Sequence, residues 1–316
     1  MSDLPSLKLD FADFWPGFDR ENNFFIELLN RDFEVELSRH PDVLIYANFG
    51  RRHLAYDCIR VYYTGENLRP PWGECDHAIT FDLNPDPRHF RLPLYALYVS
   101  PDKLVKTDVN LERLISEKTR FCNFVYSNPG CEERINFFKR LSKYKSVDSG
   151  GRLLNNIGGT FVSNKLSFIK DYKFTIAFEN SSWPGYTTEK LTDPMLVNSL
   201  PLYWGNEQVH LDFNPRSFVS FYEFNNYEAM IERIIEIDND EALYAQYLSQ
   251  PWYHDNVPNT YVNSANLRDF FRRVISAEAP PLTKRLLRTI SSVAYKAAMA
   301  TEKGVSRASR GFASRS

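Results

Sequence analysis

The sequence predicts an α/β protein built from two doubly wound domains, and three observations lead there. A chain of 316 residues has room for about two domains at ~150 residues each. Short apolar runs recur along it, each ending in polar or turn residues, as strands buried in parallel sheets do. Between those runs lie segments of helical periodicity, at spacings that suit βαβ units. With 43% hydrophobic and 25% charged residues, the chain can fill such cores, and global disorder is excluded.

The elements follow in order. "LKLDF" reads as a first strand, and "RENNFFIELLNR" as a helix with Phe25, Leu28 and Leu29 near one face. "DVLIYANFG", "IRVYYTGEN" and "HAITFDL" are apolar runs that end in polar turns. Leu104, Leu111, Leu114 and Ile115 predict a helix over 102–119. The second half repeats the rhythm. "FCNFVYSN" is a strand followed by a helix from about Glu132 to Tyr144, and "KSVDSGG" is a short strand ending in a glycine turn. "YKFTIAFEN", "LPLYWGN" and "SFVSFYEF" are further strands. Among them lie a helix over Thr188–Ser199 and the helix "YEAMIERIIEI", with Ile231, Ile234 and Ile235 on one face. In such sheets a ligand sits beyond the carboxyl ends of the strands.

Charge is unevenly spread. The net charge is only -2, but residues 282–316 carry eight Lys or Arg against the single acid Glu302. Placed at about 100° per residue, Leu282, Leu286, Leu287, Ile290, Val293, Ala294 and Ala297 fill one arc of a helix. Lys284, Arg285, Arg288 and Lys296 fill the other. That is a cationic amphipathic helix of the kind that lies in a lipid interface; a helix packed on its own domain, or a disordered tail, fits the same letters. An acidic body and a tail without interleaved aromatics argue against nucleic acid as a partner. Four cysteines without knuckle spacing, Cys58, Cys75, Cys122 and Cys131, point to a reducing compartment rather than a disulfide framework. The N-terminus has no basic, apolar leader pattern, and no apolar stretch reaches the ~20 residues a membrane span needs. The expected location is therefore the cytoplasm, peripherally attached to the inner face of a membrane.

Chemistry gathers at two strand tips. After the strand "FTIAF" come Glu179, Asn180, a Pro184-Gly185-Tyr186 turn and a helix opening with Thr187-Thr188-Glu189-Lys190. A helix N-terminus attracts anions through its free N–H groups and dipole. Lys190 in the first turn opposes that dipole, which makes sense beside an anion. Asn180 offers directional donors, Tyr186 a ring and a hydroxyl, and Glu189 an acceptor for a ribose diol. These residues suit a sugar nucleotide; they also suit an ordinary strand–helix turn with a solvated Glu–Lys pair. At the other tip, "FVYSN" and "PGCEER" place Arg134 in the first turn of the next helix, where its planar fork matches a phosphate or pairs with Glu132 or Glu133. Glu66, in "YYTGEN", reads locally as a strand-end acid capping a turn. Asp238-Asn239-Asp240 has a metal-binding D-x-D form but follows a helix, so an acidic turn is the better reading. The histidines at 40, 53, 77, 89, 210 and 254 show no ligand spacing.

"YYTGEN", "YSNPGCEERINFFKRLSKYKSVDSGG" with "NNIG" after it, "FENSSWPGYTTEK" and "LPLYWG", in this order over roughly 58–270, resemble the motif series of the α1,3-fucosyltransferases. The resemblance implies a GT-B fold, two Rossmann-like domains facing a cleft. It implies an acceptor-binding domain over 1–119, a GDP-fucose-binding domain over 120–270, and a C-terminal helix and basic amphipathic tail over 271–316. Arg134 and Lys190 match the cations that contact the donor phosphates. Glu189 matches the ribose-holding acid, Asn180 and Tyr186 the amide and phenol of the donor loop, and Glu66 the catalytic base. The expected activity is inverting transfer of fucose from GDP-fucose to O3 of GlcNAc in an N-acetyllactosamine-type glycan, giving a Lewis X-like product. Another nucleotide sugar, an O4 linkage or an inert nucleotide-sugar-binding protein are the alternatives. No cofactor is required on this reading, and stimulation by Mg2+ or Mn2+ without a protein-built site is the most a metal is expected to give. The partners are GDP-fucose, a GlcNAc-containing glycan acceptor, and an anionic membrane surface met through 282–316. No N-terminal anchor of the kind animal members carry is expected, and "SSWPG" stands where the family's donor loop has a variable segment.

Overall fold

The computed structural model describes residues 4–107 and 110–276; the basic segment 282–316 lies outside them. The chain forms two compact units. One comprises the described residues up to Thr80, Asn84–Phe90, and the described residues from Ser264 onward; the other comprises Phe81–Leu83 and Arg91–Asn263.

The first unit is organised by a sheet of β1 (Ser6–Ala12), β2 (Glu34–Leu37), β3 (Val43–Tyr46), β4 (Ile59–Tyr63), β5 (His77–Thr80) and β6 (His89–Arg91). Strand order is β2-β1-β3-β4-β5-β6, with parallel pairing from β2 through β5. Every residue of β3 is buried, as a central parallel strand covered on both faces requires. Leu44, Tyr46, Tyr62 and Ala78 form part of its core. Helix α1 (Phe24–Leu29) starts where the Asn23 side chain accepts from the amides of Phe25 and Ile26, and it buries Phe25, Leu28 and Leu29 as the periodicity predicts.

The second unit holds β7 (Arg120–Phe124), β8 (Val147–Ser149), β9 (Tyr172–Phe178), β10 (Leu200–Trp204) and β11 (Val219–Ser220). They form an all-parallel sheet of order β8-β7-β9-β10-β11. Its helices are α2 (Tyr95–Tyr98), α3 (Leu111–Ser116), α4 (Glu132–Leu141), α5 (Lys165–Ile169), α6 (Glu189–Leu196), α7 (Tyr227–Asn239) and α8 (Glu241–Ser249). Phe124, Phe137, Phe174, Phe178, Leu200 and Ile234 sit in one core. Phe137 stacks on Phe178 with centroids 4.7 Å apart, and truncating such a ring costs about 3–5 kcal/mol.

Several expectations shift in detail. The helix expected over 102–119 is a 3-10 turn, Pro101–Leu104, and the short α3. "SFVSFYEF" gives a two-residue strand followed by a 3-10 turn. On α7 the buried residues are Met230, Ile234 and Ile237 rather than Ile231 and Ile235. The compact units also divide the chain at points other than 1–119, 120–270 and 271–316. Tyr95, Val99 and Leu104 already pack with Tyr203, Phe213 and Trp252 of the second unit. The last described helix, α9 (Ser264–Ser276), returns to the first unit and sets Phe271 edge-on to Phe25 at 6.2 Å.

Ion pairs reinforce that return. Arg268 Nε donates to Asp32 at 2.7 Å and Arg272 Nη2 at 2.6 Å. Hydrogen bonding from Arg268 first, opposed by desolvation and then helped by Arg272, holds the Asp32 carboxyl at about 2. A carboxyl lowered by folding adds stability above its ordinary pKa of ~3.9 and loses it as pH falls toward the folded value. The arginines are partly exposed, 24% and 48%, so solvent screens both pairs and their contribution to stability is small. Asp32→Ala is expected to lower Tm by about 2–4 °C at pH 7 and to flatten the loss of Tm between pH 4 and 2, as calorimetry across that range would register.

Candidate active site

The order β8-β7-β9-β10-β11 reverses direction between β7 and β9. That switch point, beyond the carboxyl ends of the strands, is where doubly wound sheets bind ligands. The segment after β7 leads to Arg134 in the first turn of α4, and β9 ends directly before Glu179. Glu179 is fully buried, and the space for it comes from Gly205. A Cβ at Gly205, whose φ is +150°, would stand 2.4 Å from Glu179 Cγ.

Glu179 organises the site. The Thr188 amide and hydroxyl each donate to its carboxylate at 2.7 Å, and Lys190 Nζ lies 3.6 Å from Oε2. Burial pushes this carboxyl up, while Lys190 and Thr188 favour the ionised form. From the other side, Arg134 Nη2 donates to the Glu179 carbonyl at 2.9 Å and to Asn180 Oδ1 at 2.6 Å. The Arg134 guanidinium lies over the Tyr126 ring, 4.3 Å from its centroid, a cation–π contact that keeps it flat. Its buried Nε has no hydrogen-bond partner among the described residues. The Lys190 ammonium is stabilised as a cation: burial opposes its charge, but Glu179 and Glu189 outweigh burial and the repulsion from Arg134.

Arg134, Asn180, Glu189 and Lys190 thus converge on one buried acid. Thr188 is the N-cap of α6. The anions expected beside Lys190 are partly the chain's own, since Glu189 Oε1 is 3.4 Å from Nζ and Glu179 lies behind it. Arg134 pairs with neither Glu132 nor Glu133 in the contacts described; its partners are the tip of β9 and Asn180. Tyr186 belongs to the same loop but is 2% exposed, its ring packed against Phe81 at 4.8 Å. Glu66 is in the first unit, exposed on the segment after β4, with its amide donating to Thr64 Oγ1 at 3.0 Å. The D-x-D segment is structural: Asp238 accepts from Lys173 at 2.9 Å and Lys145 at 3.0 Å, and Asp240 caps α8.

Three supports escaped the sequence reading. Asn206 accepts from the Gly185 amide at 2.7 Å and donates to Thr187 Oγ1 at 3.0 Å, holding the Gly185–Thr187 turn at both ends. The Tyr222 hydroxyl bonds to the Gly205 carbonyl at 3.0 Å. Arg91 makes a two-pronged, nearly fully buried pair with Asp212 at 2.7 and 2.8 Å and donates to the Gly185 carbonyl at 3.3 Å. Removing one partner of such a pair strands the other charge, at about 3–5 kcal/mol. For Asn206 the signal was present, a polar residue ending "LPLYWGN"; the other two carry no local mark.

Two α/β sheets, the second all-parallel with paired cations over its switch point, are the parts of a GT-B-type fold. Residues 9–98 match the α-(1,3)-fucosyltransferase FucT N-terminal domain, and residues 115–270 match the C-terminal domain of glycosyltransferase family 10 (fucosyltransferase). The chain belongs to that fucosyltransferase family. It is 31% identical over 286 residues to the α-(1,3)-fucosyltransferase FucT of Helicobacter pylori, a match covering 77% of this chain and 60% of that protein. With α-(1,3)-fucosyltransferase B of Drosophila melanogaster it shares 26% over 181 residues, 51% of this chain and 40% of that one. The chain therefore spans less than two thirds of the length of these curated relatives. The crystal structure of an α1,3-fucosyltransferase with GDP-fucose superposes with a TM-score of 0.76 at 26% identity, over 88% of this chain and 93% of that one.

Proposed function

We propose that the chain transfers fucose from GDP-fucose to O3 of a GlcNAc unit in an N-acetyllactosamine-type glycan, with inversion at the anomeric carbon. The observation that carries this reading is the meeting of Arg134 and Lys190 around Glu179 and Asn180 at the switch point. As the bond from fucose C1 to the GDP oxygen lengthens, the sugar gains oxocarbenium character and the electron pair leaves with the diphosphate. Arg134 and Lys190 supply positive charge there, so no metal is required for that role. Glu189 holds the ribose, and Asn180 and Tyr186 complete the donor loop. The acceptor hydroxyl attacks C1 from the opposite face and yields its proton to Glu66.

The test is to incubate the chain with GDP-fucose and a panel comprising N-acetyllactosamine, its β1,3-linked isomer and lactose, then determine linkage and anomeric configuration by NMR. An α1,3 product on N-acetyllactosamine is expected. Transfer only from another nucleotide sugar would overturn the donor assignment, and donor binding without transfer to any acceptor would mark an inert binding protein. The amphipathic segment 282–316 is proposed to seat the protein peripherally on an anionic membrane surface on its cytoplasmic side. Among the described residues no helix is long and apolar enough to cross a membrane. Deleting 282–316 is expected to abolish sedimentation with anionic vesicles while leaving activity in solution intact; undiminished sedimentation would refute the role.

A further inference from the structure

The first unit has a switch point of its own. Its order β2-β1-β3-β4-β5-β6 reverses between β1 and β3, and two large rings stand in solvent just past those strands. Trp15 is 45% exposed and Phe49 50% exposed, with centroids 6.3 Å apart and planes at 79°. Together they form an open aromatic corner.

This corner is rigidly mounted. Trp15-Pro16-Gly17-Phe18 closes with the Phe18 amide donating to the Trp15 carbonyl at 3.2 Å. Gly17 adopts φ +87°, the position after proline where a type II turn needs a left-handed residue. The Phe49 amide donates to the Asp13 carbonyl at 2.9 Å, which ties the two loops together. Asp13 accepts from the amides of Arg52 at 2.8 Å and His53 at 2.9 Å, and meets His53 Nδ1 at 2.6 Å. Asn48, next to Phe49, accepts from Thr64 Oγ1 at 3.0 Å, and the same Oγ1 accepts from the Glu66 amide at 3.0 Å. Three loops, after β1, β3 and β4, are joined by hydrogen bonds and present Trp15, Phe49 and Glu66 from one scaffold. Along the same carboxyl edge an open groove of about 430 Å³ continues past Phe18, lined by Asp19, Arg20, Glu21, Ser38 and Arg39.

Exposed aromatic groups on a fixed frame mark a binding surface. A pyranose fits this one: its C–H face is apolar, its rim is hydroxylated, and the corner offers one ring for a face and a second for an edge. Glu66 can receive a rim hydroxyl, and the charged groove can meet further hydroxyls of a longer glycan. We infer that Trp15 and Phe49 form the stacking platform for a pyranose of the acceptor glycan, held in register with Glu66 through Asn48 and Thr64.

This inference rests on the proposed fucosyl transfer, and its test separates the two. Trp15→Ala and Phe49→Ala are each expected to raise the KM for N-acetyllactosamine about 5- to 10-fold. The KM for GDP-fucose and kcat should stay within about twofold, and Trp15→Phe should restore most of the loss. About half of each ring is already in water, so Tm should hold. An acceptor KM within twofold of wild type in the folded double variant would overturn the platform. Saturation-transfer NMR with N-acetyllactosamine and no donor gives a readout independent of catalysis. Transfer from protein aromatic protons to the sugar, lost in the double variant, supports the platform even if no fucosyl transfer occurs. Transfer that survives the double variant overturns it.

Discussion

Arg134→Ala is expected to lower kcat on GDP-fucose by about 10²–10³-fold. The guanidinium is 1% exposed and is fixed by the Glu179 carbonyl, Asn180 and the Tyr126 ring. A charge held still where negative charge develops acts without reorganising at the moment of reaction, and stabilisation of that kind is worth about 3 kcal/mol per contact. The alanine also leaves a buried carbonyl without its donor, at about 1–3 kcal/mol, so Tm should fall as well. Arg134→Lys separates the effects, because it keeps a charge and loses the planar guanidinium that lies on the Tyr126 ring while its Nη2 reaches both Asn180 and the carbonyl. Its kcat should lie between those of wild type and the alanine variant. Single-turnover rates with saturating donor, beside calorimetric Tm values, would check this; a folded Arg134→Ala protein turning over within threefold of wild type would remove the phosphate assignment.

Glu66→Gln is expected to slow transfer by about 10²–10⁴-fold with GDP-fucose affinity unchanged. The substitution is isosteric, and the residue is exposed, its amide donating to Thr64 Oγ1 and its carbonyl accepting from the Leu68 amide; both are backbone contacts that Gln keeps, so the fold has little to lose. The amide cannot take the proton from the acceptor hydroxyl. Slow hydrolysis of GDP-fucose to free fucose should persist, because the departure of the diphosphate proposed for Arg134 and Lys190 does not involve Glu66. Parallel assays of transfer and hydrolysis would show the two rates separating. Equal turnover by Glu66→Gln and wild type would place the base elsewhere.

Much of this architecture was legible because parallel strands announce themselves as unbroken apolar runs. β3, β9 and β10 were read from such runs, and the polar residues at their tips came with them. What escaped has a common cause, dependence on residues far away in the chain. β2 is an edge strand of alternating exposed Glu34 and Glu36; backbone pairing with β1 makes it a strand, and no apolar run marks it. α9 straddles the boundary expected at 270, and its Phe271 finds Phe25 across the first unit. Arg91 and Asp212 stand 121 positions apart, beyond any periodicity. At the site, the dipole argument placed Lys190 near an anion, but a sequence alone does not show that Glu179 is driven fully into the interior by Gly205 and Thr188. The cations were visible as letters; the acid between them was visible as a letter without a depth.

That depth bears on what happens after the bond has broken. Lys190 keeps a built-in counter-ion at its back, so under the proposed donor role its charge stays balanced once the spent nucleotide leaves. On that proposal, an ammonium with no such companion would cling to GDP and throttle each cycle at product release.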